Sequence, residues 1–593
     1  MIHVLPPGTP PPGAVGLYVP GAGGKISRAG AIASLRRGKV ENGLLGGRPG
    51  GTVKADLVQG LAAGRPAVYV QLPPPGAHHN TRRYLVSVDA AGYSGILTSG
   101  STRIDGLVAL PDITQTAVAL ARGERPVIRA VPGSRAHLAW LDRRLDRVHR
   151  DRGWTFTVVV LVLLALALAW PRAAVLFGPA AVAVALWLES MGTTRFWEVL
   201  VWMALGPAAV AYLASLRRDW IPYAVTAFFA GFLLVLVLSP ETHALAVLGA
   251  RPDGGGRFYG IGNQVETLLL PSVLAAIVVG GVAWAAPVGA LALVTVAWSK
   301  AGADGGGLLV FAAALAVLVL RLRPARVTWR RAVVAGACAI ALALAVVGID
   351  AALGGSSHVT HAVGSGPGSL SGDFAHRLHL SWASATKSAY NIVLFLASLA
   401  LLVWMATRPR RHPAVDAMLV ALAVSLLVND TPVDVIGLGA LGCLALLRFE
   451  SVDSRRMRRG AALTLICAGM AVLMLAGCGG QGVTTPTPQT VVGTVQAEAP
   501  GKAIFTAQGC GACHTYTPAG PDARGNIGPD LDKLAAYAKQ AKQPLKVFTL
   551  TSIAHPNAYI QPGYPKNVMP KSYGALPAKD LKDLVDFLTT AQG

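Results

Sequence analysis

Acidic side chains are scarce in this chain. Asp and Glu number 30 against 52 Lys and Arg in 593 residues, and all charged residues make up only 14% of a sequence that is 53% hydrophobic. So much apolar content with so little charge excludes a disordered chain and exceeds what an ordinary soluble fold carries. Cysteine is scarcer still, at 6. Cys338, Cys443 and Cys467 fall inside apolar runs and read as small buried hydrophobes, so no pairs are left for a disulfide framework. Helix-turn-helix and zinc-finger spacings are missing too. The formal charge of +22 therefore points to membrane topology and anionic lipid, not to nucleic acid. Gly254-Gly255-Gly256 and Gly305-Gly306-Gly307 lack the Lys-Ser/Thr that completes a phosphate loop and read as turns or hinges.

What is abundant is apolar runs. Eleven are expected to be helices, near 155–170, 173–188, 197–215, 220–239, 267–285, 286–298, 307–320, 331–348, 390–407, 414–428 and 433–447. A full span takes roughly 20 residues, so several are short and the sixth could be re-entrant. Residues 154–450 are thus expected to form a polytopic all-α membrane region. With the first 150 residues outside, the cytoplasmic connections carry 16 basic residues and the opposite loops six. The positive-inside rule favours that orientation. Arg143, Arg144, Arg147, Arg150 and Arg152, crowded before the first helix, pull the other way. Asp304, Asp350, Asn429 and Asp430 lie in or beside apolar runs and are candidates for a polar pathway, or else mark helix ends at the water boundary.

Residues 1–153 differ. They are rich in Gly and Pro, with β-branched runs such as 67–72 and 84–88, and are expected to form a soluble α/β region. No apolar segment precedes them, so an external location implies that the chain's start lacks a signal sequence. His78 and His79 are a possible metal pair or part of a solvated loop. Segments 95–99 and 112–116 faintly resemble the C-terminal part of alkaline-phosphatase-like folds. Gly100-Ser101 stands where that family has its metal-binding Asp-His, so the region would be degenerate.

Near the far end, Arg455-Arg456-Met457-Arg458-Arg459 precedes an apolar stretch that closes on Leu475-Ala476-Gly477-Cys478. A basic region, an apolar region and a small-residue cleavage point in that order make a signal peptide, spanning 455–478. The final Cys makes the segment resemble the lipobox of bacterial lipoproteins, in which that residue is acylated. The competing reading is a twelfth membrane helix. Residues 479–499, rich in Gly, Thr, Pro, Gln and Val, read as a flexible tether.

Beyond the tether, Cys510-Gly511-Ala512-Cys513-His514 has the spacing at which two thiols bind one haem covalently while the adjacent imidazole takes an axial place on the iron. A thioredoxin-like pair needs a strand and a βαβ context, and a zinc site needs two further ligands; neither lies nearby. Gly501 to Phe505 opens a short helix into the motif. Asn526-Ile527-Gly528-Pro529-Asp530-Leu531 and Asn567-Val568-Met569-Pro570 follow, and then Leu581, Leu584, Val585 and Leu588 recur as one stripe on a terminal helix. Met569 lies 55 residues after His514 and could in isolation be core filler.

This ordered series resembles the class I cytochromes c over residues 500–593. The resemblance implies a C-terminal all-α fold and haem c (iron) held by Cys510 and Cys513. His514 and Met569 would be the axial ligands, with the Pro529 carbonyl holding the imidazole in place. The terminal helix would cross the first one near Phe505. It also implies an electron carrier and no catalytic residues. The expected role is a cytochrome tethered by Cys478 to the outer face of a bacterial cytoplasmic membrane. It would pass electrons between a quinol-oxidising complex and a terminal oxidase. Lys502, Lys566 and Lys571 would steer an acidic partner, while Lys579 and Lys582 read as a solvated helix face. The alternative is a transporter or membrane enzyme in residues 1–455, fused to a lipoprotein cytochrome. The Trp-rich haem-handling signature of cytochrome assembly proteins is missing, and Arg257 to Asn263 resembles a group of bacterial polytopic membrane proteins with no activity to transfer.

Overall fold

The computed structural model describes residues 1–5, 9–22, 25–40, 55–62, 64–193, 195–323, 328–352, 379, 381–429, 431–451, 500–520, 523, 525–569, 573–574 and 576–590. Met457, Cys478, the signal-like stretch and the tether lie outside the described residues, as do Asp430, Pro570 and Lys571.

In the N-terminal region, alternating short runs of Val, Ile, Leu and Tyr form a mixed sheet. Its strands are β1 (Ile2–Val4), β2 (Ala14–Tyr18), β4 (Leu57–Gln59), β5 (Ala67–Val70), β7 (Tyr84–Asp89), β8 (Ile96–Thr98), β9 (Leu107–Val108) and β10 (Arg129–Val131). The order is β10-β8-β2-β7-β5-β1-β4, with β9 also pairing with β2, while β3 (Lys25–Ser27) and β6 (Ala77–His79) make a separate ribbon. β1 runs parallel to β4 and β5, whereas β7 is antiparallel to both β2 and β5. Two helices bury their apolar sides in the same core. Arg28–Arg37 is capped by Ser27, whose hydroxyl accepts from Gly30 N at 2.9 Å, and contributes Leu35; Leu110–Arg122 contributes Ile113 and Ala117. Arg83 and Asp142 pair at 2.7 Å with side chains 2% and 4% exposed, so each buried charge meets its counter-charge. Sheets and helices together fit the α/β expectation for this region. Of the expected His pair, His78 Nε2 bonds the Pro75 carbonyl at 2.5 Å, and no group of three His, Cys, Asp or Glu placed to hold a metal occurs among the described residues.

All eleven apolar runs of the middle region are helical. Among the described residues, seven helices have at least 18 residues and the composition to cross a membrane: Arg135–Ala169, Phe196–Ser215, Arg218–Leu238, Asn263–Gly280, Gly305–Leu322, Ala389–Ala406 and Pro432–Phe449. Phe177–Ser190, Val282–Ala297 and Pro413–Val428 are apolar but shorter, and Trp329–Ala352 occupies the eighth run. At 1.5 Å per residue, 18 residues reach about 27 Å, close to the hydrocarbon thickness of a bilayer. Large apolar side chains point out of this bundle, among them Trp197 at 73%, Leu205 at 65% and Leu238 at 75% exposure. Such a coat suits lipid and not water. Inside, close approach rests on small residues: a Cβ at Gly178 would overlap the Leu268 carbonyl, and one at Gly439 would overlap Leu422. Hydroxyls are satisfied within their own helix, as when Thr226 donates to Pro222 O and Thr295 to Leu291 O, each at 2.7 Å. The first helix starts twenty residues earlier than the apolar run. Leu138, Leu141, Leu145 and Val148 recur at helical spacing through the arginine-rich stretch and are buried, so one face of it packs. Arg144 pairs with Glu189, and Arg152 donates to the Ala250 carbonyl at 2.6 Å. Of the two, only Arg144 has its charge met by a carboxylate in an ion pair.

The C-terminal region consists of Pro500–Ala507, Leu534–Gln540, Leu545–Ala554 and Ala578–Thr590, with 3-10 turns at Cys510–Ala512, Thr517–Ala519 and Leu531–Lys533. The first and last helices pack together, as the resemblance implies. Phe505, Tyr516 and Phe587 form an aromatic triangle with centroids 5.4 to 6.0 Å apart. The Tyr516 hydroxyl donates to Phe587 O at 3.0 Å. Leu584, Val585 and Leu588 of the expected stripe are buried.

Gly501 marks the closest point of the two helices, because a Cβ there would overlap the Asp583 carbonyl oxygen. Gly501→Ala should force the pair apart at a cost of ~1–3 kcal/mol. In a domain of this size that is a fall in Tm of ~4–8 °C per kcal/mol. Thermal unfolding followed by the visible absorption of the C-terminal domain checks it, and an unchanged midpoint would mean that the helices do not meet at Gly501.

Candidate functional site

The two thiols and the imidazole of the C-x-x-C-H run are brought to one wall by local backbone geometry. Gly509, at φ 72°, turns the chain out of the first helix into the 3-10 turn Cys510–Ala512. His514 N then bonds Cys510 O at 3.0 Å, which coils the motif so that Cys510, Cys513 and His514 all line one cavity. Neither cysteine is in a disulfide. Burial pushes the Cys510 thiol up to about 11, so it stands neutral.

A second strand of chain fixes the imidazole. Residues 525–531 run beside 511–515 and are tied to them by Gly525 N to Gly511 O at 3.1 Å, Gly528 N to Cys513 O at 2.8 Å and Leu531 N to Thr515 O at 2.8 Å. Asp532 secures the end of this segment, accepting from Thr517 N at 2.8 Å and Thr517 Oγ1 at 2.6 Å. As a result the Pro529 carbonyl lies 2.7 Å from His514 Nδ1. With Nδ1–H donating there, Nε2 carries the bare lone pair. Burial, opposed by this hydrogen bond, lowers the imidazole's affinity for a proton, which keeps Nε2 available. Gly528 is required by contact: a Cβ would collide with the ring of His514.

Met569 lines the same cavity. The loop that carries it is clamped by a feature that sequence reasoning missed. Asn557 Nδ2 donates to Asn567 Oδ1 at 2.8 Å, and Asn567 N donates back to Asn557 Oδ1 at 3.0 Å. Asn567 adopts φ 63°, a left-handed conformation that Asn tolerates better than most residues. The Asn two residues before a candidate ligand is the sequence signal that could have pointed to it.

Between these walls lies a cavity of about 1280 Å³, its mouth included, lined mainly by apolar side chains such as Phe505, Leu534, Phe548, Ile553 and Leu584. Two thiols, a nitrogen lone pair and a thioether around an apolar slot fit a largely apolar, iron-bearing group. Of the surface lysines, Lys579 bonds Asp583 at 2.9 Å, Lys582 bonds Asp586 at 2.8 Å and Lys546 bonds Asp586 at 2.7 Å, as a solvated helix face would. Lys566 is exposed.

The cytochrome c family model matches residues 498–592. Comparison with curated proteins and with solved structures gives no match. The C-terminal domain is thus a cytochrome c domain, carrying covalently bound haem c with iron, and its chemistry is haem-based electron transfer.

Gly528→Ala should displace the His514 ring while leaving both cysteines in place. Haem content should persist, while the visible spectrum should show weakened axial ligation. Haem staining of the denatured band alongside absorption spectroscopy checks both parts. A spectrum identical to the parent's would mean that the ring has room to spare.

Proposed function

We propose that this protein carries single electrons at a membrane, through a haem bound by Cys510 and Cys513 and ligated by His514 and Met569. The observation that carries the reading is the convergence of these four side chains on one apolar cavity, with His514 Nδ1 held by the Pro529 carbonyl at 2.7 Å. When bound, haem c supplies an iron that cycles between ferric and ferrous forms. Cys510 and Cys513 would anchor the group. Pro529 fixes the imidazole plane, the Asn557–Asn567 clamp holds the Met569 loop, and the apolar walls keep water away. A thioether favours the ferrous state and so raises the potential, and two protein ligands leave no open position for a substrate.

The membrane setting rests on the seven long apolar helices. Placement in a bacterial cytoplasmic membrane, with the cytochrome on the extracytoplasmic face, is supported by the basic, apolar and small-residue order that ends at Cys478. In that setting the natural exchange partners are a quinol-oxidising complex and a terminal oxidase. Exposed Lys566 could then steer an acidic surface, with Lys502 and Lys571 beside it in the sequence reading.

Met569→Ala should leave haem attached, since the thiols are untouched, but open the sixth position to an added ligand and lower the reduction potential. Redox titration and binding of imidazole to the purified protein check this; parental values for both would remove Met569 from the site. Cys478→Ala tests the tether. It should abolish acylation and cleavage, so the haem-stained band should be larger than that of the parent. Equal masses would favour an ordinary helix ending in Ala-Gly-Cys.

A further inference from the structure

Within the membrane region one carboxylate has nothing to answer it. Glu266 stands in the first turn of the helix Asn263–Gly280, is 2% exposed, and neither of its oxygens has a hydrogen-bond partner among the described residues. An unpaired carboxylate is among the most expensive groups to bury in an apolar interior. The surroundings are shaped to it. The helix Gly305–Leu322 begins against it: a Cβ at Gly307 would overlap both Glu266 oxygens, and one at Gly306 would overlap Asn429 Oδ1. Asp304, which caps that helix, is fully engaged. One oxygen accepts from Gly307 N at 2.9 Å and the other pairs with Arg257 at 2.6 Å. In its ionised form Glu266 would carry a charge that no described residue neutralises.

Glu266, Thr267, Ser425 and Asn429 line a small cavity whose remaining walls are Leu270, Val310, Met418 and Leu422. Asn429 Nδ2 donates to Ser425 Oγ at 2.7 Å, and its backbone carbonyl accepts from Ser381 Oγ at 2.7 Å, so Asn429 is held from two sides. Its Oδ1 faces the start of the same glycine helix as Glu266. We propose that Glu266, with Asn429 and Ser425, binds one small hard cation, a proton or Na⁺, and that the membrane region handles this cation independently of electron carriage. The donors are all oxygen, which suits such a guest. A single free charge suits a monovalent one. The site lies wholly within the helical region and uses no residue of the C-terminal domain.

Other charged groups on the elements packed against this helix are occupied elsewhere. Asp434 accepts from Gln264 at 2.6 Å, Glu189 pairs with Arg144, Asp219 with Arg217, and Asp416 with Arg321 and Arg411. Arg448 donates to Leu168 O at 2.9 Å, and Arg218 lies over the Phe449 ring. Among the described residues, Arg257 and Asp304 are thus the charges that bear on Glu266.

The test uses the full-length protein in detergent micelles and dicyclohexylcarbodiimide, an apolar reagent for protonated carboxyls. The acid's O–H adds across one C=N bond, its proton going to nitrogen and its oxygen to the central carbon; acyl migration then leaves a stable N-acylurea. Peptide mass mapping should find the label on Glu266, declining about tenfold per pH unit above the site's midpoint. Protection by NaCl but not by choline chloride identifies Na⁺ as the guest. A pH-dependent label indifferent to NaCl identifies the proton. Infrared difference spectra between low and high pH, and with and without NaCl, should contain a carboxyl band that Glu266→Gln removes. No label on Glu266, or a label flat in both pH and NaCl, overturns the proposal. Infrared differences identical in wild type and Glu266→Gln overturn it as well. Should that variant fail to assemble, the wild-type label alone decides.

Discussion

The C-terminal domain is organised around a cavity that its own side chains do not fill. Phe505, Leu534, Phe548, Ile553, Leu584 and Leu588 belong to the small core and also line the slot. Each presents one side to its neighbours and the other to the slot. A region of fewer than 100 residues buries little apolar surface by itself. Covalently bound haem c therefore completes the core as well as providing the chemistry, and binding free energy becomes folding free energy. The same logic explains why the polypeptide around the slot is pinned chiefly by backbone hydrogen bonds: ladders between 511–515 and 525–531 hold their geometry on the polar side, where no packing is available.

The membrane region obeys the opposite constraint. Its interior is filled by protein, and its polar groups must find partners there because no water is at hand. Threonine hydroxyls turn back onto their own helices, Asp304 caps the helix Gly305–Leu322, and Arg152 reaches carbonyls of the 249–250 turn. Glycines let helices approach until backbone meets side chain. Other buried side chains of this region, such as Asp253 and Arg152, leave single atoms without a partner, whereas Glu266 leaves both of its carboxyl oxygens so.

Much of the candidate site was legible in the sequence, for a chemical reason. Two thiols and an imidazole must sit at fixed separations to bind one group, so Cys510, Cys513 and His514 announce themselves. Met569 and Pro529 were expected from order along the chain; both line the cavity, and the Pro529 carbonyl lies 2.7 Å from His514 Nδ1. The apolar runs were legible because lipid dictates composition and length. What stayed hidden depends on distant partners. The strand order β10-β8-β2-β7-β5-β1-β4 follows from crossovers that local propensity does not specify. The reciprocal pair Asn557 and Asn567 is ten residues apart and looks like ordinary loop composition. The expected apolar run is helical, but its helix begins earlier, at Arg135, because charge density masked the spacing of Leu138, Leu141 and Leu145.

Glu266 shows most clearly where sequence reasoning stops. Asp304, Asp350 and Asn429 drew notice because they interrupt apolar runs, yet each has a partner: Asp304 holds Arg257 and Gly307, Asp350 accepts from Ser299 Oγ at 2.7 Å, and Asn429 holds Ser425. Glu266 sits near a helix start beside Asn263 and Gln264, where a carboxylate favours the helix dipole and invites no comment. Only the arrival of a second helix start, bare of side chains at Gly306 and Gly307, seals it from solvent. A glycine triplet and a lone carboxylate forty residues apart are each unremarkable. Brought together they leave a buried carboxyl with no hydrogen-bond partner among the described residues, which is the feature the proposed cation site is built on.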